Sequence, residues 1–137
     1  MQRPLLLFLF VLVPVLFSCK KAIEKKKENI VIEAMTNGRW FVQDYRAIGN
    51  NVTPEFTGYE FQFYSDGKVD GILNTSVTSG NWAGDVNQLT ITANFPGAGL
   101  PLSRLNGLWK ITDNSYTYVS AYSVNGADTN YLKLQKK

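Results

Sequence analysis

The side chains in this chain that could carry covalent or acid–base chemistry are few. Cys19 is the only thiol, and none of the 137 residues is a histidine. A catalytic serine or thiol ordinarily works with a histidine base, and the common zinc sites draw on Cys and His together. Ser-His-Asp and Cys-His catalysis and those zinc sites are therefore excluded, and a lone thiol leaves no disulfide within the chain. The carboxylates Asp44, Glu60, Asp66, Asp70 and Asp85 are scattered, and no two can be assigned to the facing positions that a glycosidase dyad needs. Asp66 and Asp85 stand where turn chemistry accounts for them. The chain reads as a non-enzyme, with no catalytic residue, metal ligand or cofactor expected.

Cys19 is more informative by position than by reactivity. Met1 to Arg3 form a short basic start, Leu5 to Phe17 an apolar run broken by Pro14, and Leu16-Phe17-Ser18-Cys19 closes it. About 14 apolar residues is signal-peptide length and falls short of the roughly 20 that span a bilayer as a helix. The arrangement resembles the lipobox of a bacterial lipoprotein, in which a peptidase cuts before a cysteine whose sulfur already carries diacylglycerol. That resemblance implies a signal peptide over 1–18, lipidation of Cys19 and a membrane partner reached through the acyl chains. Two or three chains at about 0.8 kcal/mol per buried methylene make a stable anchor, where one does not. Lys20, rather than Asp, follows the cysteine, which by resemblance to Gram-negative sorting rules implies the outer membrane.

The net charge of +3 is unevenly placed. Residues 19–29 carry five lysines (20, 21, 25, 26 and 27) against Glu24 and Glu28, whereas residues 30–137 hold eight basic and nine acidic side chains. The basicity thus belongs to a solvated tether that suits an anionic lipid surface. The domain shows no basic face for nucleic acid, and no nucleic-acid partner is expected.

Residues 30–137 are enough for one domain. Ile30 to Asn37 reads as a short helix ended by Gly38. Beyond it the hydrophobic period is two, as in Tyr59, Phe61 and Phe63 against Glu60, Gln62 and Tyr64. Turn residues such as Ser65-Asp66-Gly67, Asp113-Asn114 and Asn125-Gly126 separate strands near 39–48, 58–64, 68–73, 76–83, 88–95, 105–112, 115–123 and 129–135. Eight short strands in succession describe a meander, and closing it into an antiparallel up-and-down barrel removes both unpaired edges.

All three tryptophans occur as Gly-x-Trp: Gly38-Arg39-Trp40, Gly80-Asn81-Trp82 and Gly107-Leu108-Trp109. Glycine lets the backbone bend or approach closely at a barrel end, while the indole two residues on closes the core. Together with the preceding helix, the aromatic strand from Phe61 and its Asp-Gly turn, this resembles the lipocalin-like domains of small Gram-negative lipoproteins over Ile30 to Lys137. The resemblance implies an all-β, eight-stranded lipocalin-like barrel with a short N-terminal helix, a monomer that binds a small apolar or amphipathic molecule. Lipocalins also seal the first-strand tryptophan with an arginine; here the last strand offers Lys133, and Arg104 lies before the sixth.

Eight strands enclose a space just wide enough to be filled by side chains or to hold one small ligand. Trp40, Tyr59, Phe61, Phe63, Trp109 and Tyr118 are the candidate ligand-binding residues, with Leu89 and Ile91 among the other inward candidates. Tyr116, Tyr118 and Tyr122 share one face of their strand, and Val119 and Ala121 the other. With the tyrosines inward, their hydroxyls could orient a ligand. With the tyrosines outward, the barrel is a packed interaction module presenting an aromatic surface to a protein or glycan. The apolar connection from Phe95 to Arg104 is either a gate or a flap tucked over a barrel end.

Overall fold

The structure is a computed structural model that describes residues 15–123 and 128–137. Most of the segment expected to be a signal peptide, and the turn expected at Asn125-Gly126, lie outside the described residues. One helix, α1 (Val15–Thr36), precedes nine strands: β1 (Trp40–Ala47), β2 (Asn50–Asn51), β3 (Tyr59–Phe63), β4 (Lys68–Leu73), β5 (Ser76–Asp85), β6 (Thr90–Asn94), β7 (Gly107–Asn114), β8 (Tyr118–Ser123) and β9 (Asn130–Lys136). Apart from the two-residue stub β2, each strand pairs antiparallel with its neighbours in sequence. β1 also pairs with β9, which closes an eight-stranded up-and-down barrel.

The turn chemistry explains the hairpins. Between β3 and β4, Gly67 takes φ +89°. The Tyr64 amide donates to Lys68 O at 2.9 Å, and Asp66 Oδ1 accepts from the Lys68 amide at 3.0 Å. That sets Phe63 opposite Val69 and Phe61 opposite Gly71, so the aromatic side chains point inward. Two bulges shift the alternation, between Val42 and Asp44 against β9 and between Ile111 and Asp113 against β8. The first brings Tyr45 into the core at 1 % exposure. Leu89, expected inward, instead sits half-exposed in a turn at φ +53°.

The three indoles divide the work of closing the barrel. Each donates Nε1–H to a main-chain carbonyl: Trp40 to Met35 O at 2.9 Å, Trp82 to Tyr64 O at 2.8 Å and Trp109 to Leu105 O at 2.9 Å. Those carbonyls belong to the end of α1, to the β3–β4 turn and to the segment before β7, so each tryptophan ties a wall strand to a cap. Two of the glycines, Gly38 and Gly107, take positive φ, while Gly80 is a close approach in which an added Cβ would lie 2.4 Å from Asn94 O. The connection from Phe95 to Arg104 is a flap over the end opposite α1. Phe95 and Leu102 are buried, and a 3-10 turn, Leu102–Leu105, presses down into the barrel. The Tyr45 hydroxyl donates to Arg104 O at 2.7 Å, and burial pushes its pKa up to about 12, so it stays a donor throughout the physiological range.

The helix is much longer than the short segment expected from Ile30. Val15 to Thr36 contains neither proline nor glycine and is rich in Lys and Glu, which favour helix, so nothing in it breaks the turn-by-turn hydrogen bonding. Gly38, at φ +92°, ends it. The packing of α1 on the core begins at Ile32, which is partly buried, and is completed by Met35. The lysine-rich segment 20–28 is therefore largely exposed to solvent, as its charge requires, but helical.

Asp70 is the one buried carboxylate among the described residues, 5 % exposed on the outer side of β4 beneath neighbouring side chains. Burial opposes its charge. Hydrogen bonds from Ser79 Oγ at 2.7 Å, Lys68 Nζ at 3.2 Å and Tyr64 Oη at 3.1 Å outweigh that cost and hold its pKa below the usual carboxylate value. A depressed folded pKa stabilises above the unfolded value, near 3.9, and that contribution disappears as pH falls through the folded value. Asp70→Asn is expected to cost about 1–2 kcal/mol at pH 7. In thermal melts between pH 2 and 7 the gap to wild type should be constant above about pH 5 and close in acid; a gap that persists unchanged at pH 2 would contradict this account.

Candidate functional site

The barrel interior offers little room. An apolar cavity of about 40 Å³ lies at its centre, lined by Phe61, Phe63, Val69, Ile91, Trp109 and Leu132 among others. A single water needs about 10–15 Å³ by the same measure, and small-molecule sites run to roughly 300–1,000 Å³. Three of the expected ligand-binding residues, Phe61, Phe63 and Trp109, do line this space, but what they enclose would admit only a few atoms.

Trp40 lies elsewhere. It is fully buried at the helix end of the barrel, and Lys136 Nζ sits 5.0 Å from its ring centroid while donating to Ala34 O at 2.9 Å. The cationic lid is therefore present, and neither Lys133 nor Arg104 supplies it. Lys133 covers the Tyr118 ring at 5.1 Å outside the barrel, and Arg104 is paired with Glu55 through Nε at 2.7 Å and NH2 at 2.9 Å. Parity along β9 carries the signal, since Lys136 shares a face with the buried Leu132 and Leu134 and Lys133 does not.

Tyr118 also departs from expectation. Val119 pairs with Leu134 and Ala121 with Leu132, which turns Val119 and Ala121 inward and the tyrosines outward. The Tyr118 hydroxyl donates to Asp113 Oδ2 at 2.8 Å, a bond that raises its pKa because ionising the phenol would lose it. Tyr122 and Tyr116 are exposed, and Tyr131, opposite Tyr122, donates to Ser120 Oγ at 3.3 Å.

The larger concavity is on the barrel's side. β1 and β3 share one register pair, Trp40 with Phe61, and then part. The β2 stub and a 3-10 turn at Thr53–Phe56 fold over the opening: the Tyr45 amide donates to Thr53 Oγ1 and the Val52 amide to Tyr45 O, each at 2.9 Å. What stays open is a cleft of about 330 Å³ lined by Phe41, Val42, Phe56 and Tyr59, with Thr53 and Thr57 and, at one end, Glu60 and Lys137. Tyr59 is the expected ligand-binding residue that falls here, its ring 6.5 Å from Phe56 and 6.2 Å from Phe61. Glu60 accepts from Arg39 NH1 at 2.8 Å and from Lys137 Nζ, and these bonds keep its carboxyl below the usual range. Phe41, Phe56 and the Glu60 cluster were not legible as a site, because the cleft exists only where two strands distant in sequence separate.

Cys19 stands exposed on α1. Among the described residues no group of three or more His, Cys, Asp or Glu side chains converges as a metal site would need, and no helix is long and apolar enough to cross a membrane.

No protein-family model matches the chain, and no curated protein matches it. Among solved structures it is similar to the crystal structure of a DUF4847 family protein from Bacteroides vulgatus ATCC 8482, with a TM-score of 0.56 and 16 % identity. The match covers 78 % of this chain and 97 % of that one. At that identity the likeness speaks for architecture alone, and with the strand order it makes this chain a closed, eight-stranded antiparallel barrel of lipocalin-like fold.

Proposed function

We propose that this protein is a membrane-tethered, non-enzymatic lipocalin-like barrel that binds a small amphipathic molecule in its side cleft. The contrast in volume carries the reading: about 330 Å³ in the cleft against about 40 Å³ inside. A cleft walled by Phe41, Val42, Phe56 and Tyr59 with polar groups at its margins suits a molecule with one apolar and one polar end. The tether is Cys19, whose sulfur takes up diacylglycerol before residues 1–18 are removed, and Lys20 beside it directs the protein to the outer membrane.

A neutral fluorescent amphipath such as N-phenyl-1-naphthylamine tests the cleft. The chain from Lys20 to Lys137 keeps every core side chain of the described residues, because α1 packs only from Ile32 onward. Its titration should saturate and should weaken about tenfold in Phe41→Glu, a charge placed in an apolar site. Ala121→Val, which fills the interior, should leave it unchanged. Loss in Ala121→Val with retention in Phe41→Glu would move the ligand inside the barrel. For the tether, the full chain expressed in a Gram-negative host should carry acyl mass and sediment with membranes, and Cys19→Ser should do neither.

One observation favours a second reading, a packed module recognised from outside. Tyr118, Tyr122 and Tyr131 share the outer wall of β8 and β9, with Tyr116 at its edge. Outward-facing rings of this kind, with Tyr116 and Tyr122 exposed, suit stacking on a glycan or a protein surface.

A further inference from the structure

We infer that the lysine-rich part of α1 is an interfacial element that lies along an anionic bilayer surface, rather than a stalk that holds the barrel away from it. At 100° per residue, Cys19, Ile23 and Ile30 fall within about 40° of one another on the helix surface. Both isoleucines are exposed, at 56 % and 41 %, while Met35, which α1 buries in the core, lies about 140° around the helix from Ile30. An apolar stripe left uncovered by the protein thus runs through the residue that would carry the lipid.

The charges are arranged around that stripe. Lys26 and Lys27 flank it on either side, about 40° and 60° from its centre, and Lys20 lies about 80° away. Glu24 and Glu28 are on the opposite half of the helix, where Lys21 and Lys25 lie three residues before each of them and partly neutralise them. Glu33, on the stripe's side, stands at the barrel end of α1, beyond Ile30. The face that meets the lipid would therefore be apolar at its centre and cationic at its edges, the pattern of a helix seated in the headgroup region. The matching surface is an anionic membrane, since each lysine near such a surface contributes about 1 kcal/mol.

This inference rests on the tether reading for its location, but its test does not need acylation. The chain from Lys20 to Lys137 is mixed with phosphatidylcholine vesicles with and without phosphatidylglycerol, and bound protein is measured by sedimentation. Binding should require the anionic lipid and fall with salt. Lys26→Glu/Lys27→Glu and Lys21→Glu/Lys25→Glu make the same change in net charge at exposed positions. The first pair should weaken binding about tenfold or more, and the second distinctly less. Ile23→Ser/Ile30→Ser should weaken it without altering the salt dependence, and Ile23→Trp should shift to shorter emission wavelength on the vesicles. Equal losses from the two charge reversals, or no binding to anionic vesicles, would overturn the inference and leave the tether reading standing. Absence of acyl mass on Cys19 would remove the tether reading while leaving the difference between the helix faces to be measured.

Discussion

Gly80→Ala is expected to lower stability by about 3 kcal/mol, among the larger effects a single methyl can have in this barrel. The added Cβ would stand 2.4 Å from Asn94 O and 2.8 Å from Phe95 Cδ1. The first contact is main chain of the neighbouring strand, where Asn81 pairs with Asn94, so it cannot be relieved by turning a side chain. The second is the ring that plugs the far end, 1 % exposed. Either β5 and β6 part or the Phe95 flap lifts, and both expose core. For a domain of this size 3 kcal/mol corresponds to a fall in Tm of about 12–20 °C. Gly84→Ala, on the same strand, is the control. Its nearest neighbour would be Trp82 Cζ3 at 3.6 Å, an ordinary contact, and loss of unfolded-chain freedom should make it neutral or stabilising by up to about 1 kcal/mol. Comparable melting points for the two variants would show that the close approach at Gly80 does not constrain the fold.

Trp40→Ala should cost about 4 kcal/mol, within the range for emptying a core tryptophan site. The loss is compound, because the indole fills the helix end of the barrel, satisfies Met35 O and supports Lys136. Lys136→Met separates the parts by keeping the aliphatic stem while removing the ammonium, and should cost about 1 kcal/mol. Lys133→Met, which strips the cation from outward-facing Tyr118, should stay within about 0.5 kcal/mol. Thermal melts followed by circular dichroism give the order, and a larger loss at Lys133 than at Lys136 would overturn the assignment of the lid.

The strands were legible because their signal is local. Alternation between 59 and 64, the Asp-Gly turn at 66–67 and the regular spacing of turn residues place eight strands within two or three residues of their observed bounds. β7 begins at Gly107 rather than Leu105 because Leu102–Leu105 is wound into a turn that buries both of its leucines. The facing of β8 was not legible. Its two faces sort cleanly, but which one meets the core depends on its register with β9, and small Val119 and Ala121 fit an interior already occupied by Trp109 and the phenylalanines. Tyr45 escaped notice for a related reason: the bulge after Val42 reverses the phase that the first half of β1 establishes. The cleft depends on the parting of β1 from β3, which no residue pattern within either strand announces.

The attachment of α1 also has a mechanical meaning. A pull arriving through the helix enters the barrel at Trp40, the first residue of β1, at Lys136, whose ammonium holds Ala34 O, and at Gln62 on β3, whose amide donates to Thr36 O. Trp40 and Lys136 are partners in the β1–β9 pairing, which runs from Trp40 with Lys136 to Ala47 with Asn130 and is the most extensive contact β1 makes. Force along the barrel axis thus loads the many hydrogen bonds of the β1–β9 pairing together in shear, with a further share reaching β3 through Gln62. A drag on the far end of the molecule would fall chiefly on the seam best able to resist it.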